Sequence, residues 1–325
     1  MRRAALAWTL GGALALAAGC APPGAHAPQP LEVLLPRSFP PMPVDADNPT
    51  TVEGVALGRQ LYYDRRLSQS GNRACADCHR QERSFTNPSA RGVLPHVNLA
   101  WSQSFLWDGR FYGTLEQAMQ MEVEELFHTD LGRLREPDLE AMFADAFGTP
   151  EVTSERAARA LAQFQRTLVS HGSRFDRYVE GDQAALSEAE VRGLELFYSE
   201  QGECFHCHAT RLFTDNLFHD IGLDAVTEGT GRAAVTGHAA DAGRWKTPTL
   251  RNVAVSGPYM HDDRFETLEH VIAFYSEGVA SSRNLDVLVP AGGYRLSAGE
   301  QADLVAFLHA LTDDGFLEDP ALGPP

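Results

Sequence analysis

Along the chain, apolar residues recur at helical rather than strand spacing. Ala157, Ala160, Leu161, Phe164 and Leu168 fall on one face after Thr153, a residue type that caps helix starts. Leu268, Val271, Ile272 and Tyr275 form a second stripe after Thr267, and Leu304, Phe307, Leu308 and Leu311 form a third. Ser187-x-x-Glu190 and Ser297-x-x-Glu300 have capping-box spacing, in which hydroxyl and carboxylate each satisfy an N–H that the first helical turn leaves free. Alternating apolar and polar runs are scarce, so the pattern predicts an all-α protein.

Part of the pattern repeats. Gly58-Arg59-Gln60-Leu61-Tyr62-Tyr63 is echoed by Gly193-Leu194-Glu195-Leu196-Phe197-Tyr198, and each run leads to a Cys-x-x-Cys-His. Two related domains, residues 49–183 and 184–325, are the simplest account, with Gly181-Asp182 near the join. Ahead of them, residues 21–48 are rich in proline and read as a tether. Residues 1–20 read as an export signal: Arg2 and Arg3, an apolar run from Ala4 to Ala18, then Gly19-Cys20. Its ending resembles a lipoprotein signal, which predicts a periplasmic protein held to the outer membrane by a lipid on Cys20. Ordinary signal cleavage near Ala27 is the alternative.

Composition narrows the partners. The 325 residues are 43% hydrophobic, enough for two cores, and the formal charge is −17. Removing Arg2 and Arg3 from the 27 basic residues leaves 25 against 44 acidic ones, or −19. Such a surface argues against nucleic acid and suits a basic soluble partner. Lys246 is the only lysine, which reads as base bias in the gene rather than chemistry.

Five cysteines are present, and four lie in Cys75-Ala76-Asp77-Cys78-His79 and Cys204-Phe205-His206-Cys207-His208. Such pentads attach c-type haem: the cysteines add to the vinyl groups and the histidine reaches the iron. Chance would supply about 0.003 of them in a chain of this composition. A zinc site would need further Cys or His at finger spacing, and the sequence has none. Two covalently bound haems, with His79 and His208 as axial iron ligands, are therefore predicted.

Three further runs carry a resemblance. Phe105-Leu106-Trp107-Asp108-Gly109-Arg110, Thr247-Pro248-Thr249-Leu250-Arg251-Asn252 and Gly257-Pro258-Tyr259-Met260-His261-Asp262 occur in this order with the two pentads. Together they resemble the bacterial di-haem cytochrome c peroxidase/MauG family, from about Asn48 to Phe316. The resemblance implies two cytochrome c-type domains, each wrapped around one haem. The N-terminal haem would reduce hydrogen peroxide, and the C-terminal haem would deliver electrons from a small c-type cytochrome or a cupredoxin. Trp107 would be the electron bridge, and Tyr275, seventeen residues after Pro258, the distal ligand of the C-terminal haem. A phenolate there lowers the iron's potential; Tyr275 as a packing residue of its stripe is the plainer reading.

The family's distal acid/base is a glutamate about twenty residues after the tryptophan, within a Pro-Val-Glu-Met run. This chain reads Met121-Glu122-Val123-Glu124-Glu125-Leu126-Phe127, and Glu125, then Glu124, is the expected residue. His96, the histidine nearest the family's activation loop, falls outside its motif and reads as a loop or propionate contact. The N-terminal haem would then be open without reductive activation. The family's calcium ligand, an asparagine, is replaced by Gly92 after Arg91, leaving the carbonyls of Ser256 and Pro258 as calcium candidates. Asp263 stands where the family usually has glycine. The resemblance admits three functions: a peroxidase, a MauG-like oxidase that modifies side chains of a partner protein, or a non-catalytic electron carrier. Family members are often homodimers.

Overall fold

The computed structural model describes residues 27–325, so the expected export signal and Cys20 lie outside the described residues. Helices dominate, as the periodicity predicts. Strands among the described residues are limited to two short antiparallel pairs, Ser104–Phe105 with Phe111–Tyr112 and Phe218–His219 with Trp245–Lys246.

The molecule uses one packing plan twice. The Val52–Tyr63 helix crosses the Ser154–Thr167 helix at Gly58, and the Glu188–Phe197 helix crosses the Ala298–His309 helix at Gly193. A Cβ at Gly58 would stand 1.9 Å from the Ala160 carbonyl oxygen, and one at Gly193 would stand 2.0 Å from that of Asp303. The repeated glycine is thus the price of close helix approach. Thr51, Thr153, Ser187 and Ser297 cap these four helices through their hydroxyls, the last two as full capping boxes.

Each crossing seals its own core. Leu57, Leu61, Leu139, Phe143, Leu161 and Phe164 meet in the first, and Phe197, Phe213, Ile272, Leu304, Phe307 and Leu311 in the second. Full burial of one such side chain contributes about 1.5–3 kcal/mol. Arg251, fully buried, joins the second half to the Arg174–Val179 helix through a bidentate pair with Asp176.

The expected tether over 21–48 is corrected for its described part. Phe39 is buried, meets Trp101 edge-on and covers the Arg251 guanidinium. Trp101 Nε1 donates to the carbonyls of Pro40 and Pro41, and Leu31 N donates to Thr50 O. An apolar anchor and matched backbone groups fasten a segment whose prolines alone suggested a spacer.

Candidate functional site

The pentads fold alike. Cys75–Cys78 and Phe205–His208 are single helical turns, and none of the four pentad cysteines is in a disulfide. His79 Nδ1 donates to Phe85 O at 2.7 Å, and His208 Nδ1 donates to Phe213 O at 2.7 Å. Both phenylalanines take left-handed backbone, φ 56° and 52°, which turns the carbonyl toward the ring. Donation from Nδ1 fixes the tautomer whose free lone pair is on Nε2, the form that ligates iron. Burial lowers His79 to about 4 and His208 as well, so both rings are neutral at pH 7. A neutral, oriented histidine beside two free cysteines fits a haem at each site. A cavity of about 210 Å³ opens at the second, lined by Cys204, Cys207, His208, Trp107, Lys246 and Tyr275.

Opposite each pentad stands a helix that ends irregularly. Thr114 caps Leu115–Met121 and Thr267 caps Leu268–Ala273; each helix then widens into a π turn, Glu122–Leu126 and Phe274–Gly278. Such turns concentrate at functional sites. Counting eight residues from each capping threonine reaches Glu122 in the first half and Tyr275 in the second. Tyr275 lines the cavity, and burial, then the neighbouring Cys207 and Cys204, pushes its phenol up. Burial likewise pushes the Glu122 carboxyl up to about 7, against a smaller pull from Arg73. The Glu122 charge is felt at Tyr62 and at Cys75, which places it beside the first pentad.

Glu125 does not share that environment. It is exposed, and so is Glu124, which accepts from Ser154 and Gln120. The structure brings Glu122, and not the expected Glu125, beside the first pentad. Glu122 follows Trp107 by fifteen residues rather than about twenty, so a count made from Trp107 runs past it.

Trp107 belongs to the first half yet lines the cavity of the second. Its Nε1 donates to Gly92 O at 3.1 Å, and its carbonyl accepts from Lys246 N at 2.8 Å. Gly92 N in turn donates to Asp263 Oδ2 at 2.8 Å. The two positions that depart from the family pattern are therefore partners. His96 lies in an irregular segment, and its ring stacks on His79 at 3.4 Å and 17°.

Two residues of the second site escaped sequence reasoning. His219 lies between two carboxylates, Nδ1 to Asp286 at 2.7 Å and Nε2 to Asp215 at 2.9 Å. Asp215, the Cys207 sulfur and Asp286 together raise it to about 11, against burial. Asp215 and His219 are four apart in sequence, but Asp286 carries no such signal. Lys246 is buried, donates to Asn216 Oδ1 at 2.6 Å, and is lowered by burial to about 8. Its rarity had disguised its position.

Two such frames in a mostly helical chain define a class of haem proteins built for redox work. The chain belongs to the di-haem cytochrome c peroxidase family, whose signature matches residues 52–184. It is 39% identical over 284 residues to the methylamine utilization protein MauG of Methylorubrum extorquens, covering 81% of this chain and 79% of that one. It is 33% identical to the cytochrome-c peroxidase IdrP1 of Denitromonas iodatirespirans, covering 87% and 88%. The crystal structure of a MauG-like protein associated with microbial copper homeostasis matches with a TM-score of 0.82 at 33% identity, covering 90% and 98%.

Proposed function

We propose that the protein is an exported, periplasm-facing di-haem peroxidase, with one cytochrome c domain over 49–183 and a second over 184–325. Cys75 and Cys78 would hold one haem covalently and Cys204 and Cys207 the other, with His79 and His208 presenting Nε2 to the irons. When bound, the haems supply the redox chemistry, and two electrons with two protons convert hydrogen peroxide to two waters. A small c-type cytochrome or a cupredoxin donates those electrons one at a time, and the net charge of −17 suits a basic donor.

The observation that carries this reading is Glu122. A half-buried carboxyl held near pH 7 takes a proton from one peroxide oxygen and returns it to the other, because both forms are accessible. Trp107 reaches from the first half into the second cavity, which supports a role in passing electrons between the halves. Tyr275 is the side chain available to the second iron opposite His208.

The test is peroxide-dependent oxidation of a reduced c-type cytochrome by the holoprotein. Glu122→Gln should lose about 10²–10⁴-fold in turnover, whereas Glu125→Gln should stay near wild type. Turnover no higher than free haem, or equal losses in both variants, would sink the reading. Tyr275 favours a second reading, a MauG-like oxidation of side chains on a partner protein. That reading expects a mass change in the partner with peroxide and no cytochrome, and an unchanged partner rejects it.

A further inference from the structure

Around the two histidines the halves match position by position. His96 N donates to Phe85 O, the carbonyl that holds His79; Leu250 N donates to Phe213 O, the carbonyl that holds His208. Two residues on, Asn98 and Asn252 are both left-handed, φ 57° and 59°, with amides bound to Leu168 O and Leu311 O. His96 therefore corresponds to Leu250. The glycine crossings pair Gly58 against Phe164 with Gly193 against Phe307. By the same register Tyr62 corresponds to Phe197 and Gln165 to Leu308.

One layer differs in kind. In the second half it is Phe197, Leu250 and Leu308, all apolar. In the first half it is Tyr62, His96 and Gln165, joined by hydrogen bonds. Tyr62 Oη lies 3.1 Å from His96 Nδ1, and Gln165 Nε2 lies 2.9 Å from the same nitrogen. Tyr62 is 0% exposed and Gln165 1%. With two donors converging on it, Nδ1 is the acceptor and the proton of the neutral ring sits on Nε2. Gln165 Oε1 is buried with no partner. A polar trio with an orphaned acceptor is costly to bury, and the apolar trio shows that the same frame packs without it.

The trio touches the proximal ligand. The His96 ring lies face to face with His79 at 3.4 Å. Two ligands on opposite sides of one iron point their nitrogens at each other along an axis; stacked rings at contact distance cannot. His96 is thus no second ligand.

We propose that Tyr62, His96 and Gln165 form a positioning assembly that clamps the His79 ring and gives the N-terminal haem a polar proximal side, distinguishing it from the C-terminal haem. The proposal rests on the reading that His79 holds a haem. Fixed dipoles in a low-dielectric interior act strongly on a nearby charge. A polar shell favours the more highly charged iron, and an apolar shell favours the reduced one. The trio therefore lowers the potential at the site that must give electrons to peroxide.

The test uses the holoprotein with His96→Leu, Tyr62→Phe and Gln165→Leu, each taking the side chain found at the paired position. Both midpoint potentials are read by spectroelectrochemistry, and the iron–histidine stretch by resonance Raman. In His96→Leu the N-terminal potential should rise and its iron–histidine band should shift, with the C-terminal potential unchanged. Tyr62→Phe removes one oxygen and should move both signals the same way by less, which serves if His96→Leu fails to fold. An unmoved N-terminal potential and band, or equal shifts at both haems, overturns the proposal. None of these readouts needs peroxide turnover, so an inactive protein with the one-sided shift would refute the peroxidase reading alone.

Discussion

The two halves of this molecule share a backbone and part company in a few side chains. Both cross two helices at a glycine, both hold a histidine through a phenylalanine carbonyl, and both end a threonine-capped helix in a π turn. Leu106 and Met260 are both left-handed, and each precedes an Asp–Arg pair, Asp108 with Arg110 and Asp262 with Arg264. Within that shared frame Trp107 corresponds to His261, which stacks on Trp245 at 3.7 Å. Glu122 corresponds to Tyr275, and the Tyr62–His96–Gln165 trio to an apolar one. These exchanged residues face a histidine site or line the second cavity. The frame gives each half a histidine site; the exchanged residues give the two sites different surroundings.

The sharpest way to break this comparison is to make the halves alike. Glu122→Tyr places the second half's distal residue in the first and removes the proton carrier, so turnover should fall by at least the 10²–10⁴-fold of a lost acid/base. For the amide variant, the pH profile of the wild type supplies a control. Its rate should rise as pH passes through about 7, where Glu122 becomes a carboxylate, and Glu122→Gln should lack that limb. The frame itself is tested at its glycines. Gly58→Leu and Gly193→Leu drive a side chain into a backbone carbonyl that cannot move aside, costing about 1–3 kcal/mol or more in chemical denaturation. If one variant is harmless, the two crossings are not equivalent.

Much of this frame was legible in sequence because it is written in local rules. Thr153, Ser187, Ser297 and Thr267 cap the helices their spacing predicts, and the pentads and Gly58/Gly193 repeat are contiguous strings. The first half's distal side was not legible, because four glutamate-rich positions in a row gave no sign that Glu122, rather than the expected Glu125 or Glu124, turns toward the pentad. His219 was missed, and the surroundings of His96 went unread, for another reason: their partners, Asp286 and Gln165, lie 67 and 69 residues away. Residues 27–48 misled by composition, since one aromatic, Phe39, outweighs the prolines around it.

A smaller effect is expected at Tyr275. Tyr275→Phe keeps the ring that packs in the cavity and removes only the oxygen. If the phenol is the second ligand opposite His208, its loss should raise the C-terminal potential by at least about 59 mV, tenfold in a one-electron equilibrium. The N-terminal potential should not follow. An unchanged pair of potentials would return Tyr275 to a packing role and erase its contrast with Glu122.

The smallest effect belongs to His219, held between Asp215 and Asp286 in the second half. Its folded value of about 11 lies above the ordinary value near 6.5, so the protonated ring between Asp215 and Asp286 favours the folded state. The sign follows from linkage: this stability is fully present below about pH 6.5 and is lost as pH rises toward about 11. His219→Phe should therefore lower the melting temperature most in mildly acidic buffer, by about 2–4 °C per kcal/mol lost, and progressively less toward pH 11. Asp286→Asn, which removes one of the two carboxylates, should show the same trend at reduced amplitude. A melting difference that stays flat across this range would mean that the ring is neutral and that its two carboxylates are satisfied elsewhere, leaving the second half without its fixed charge.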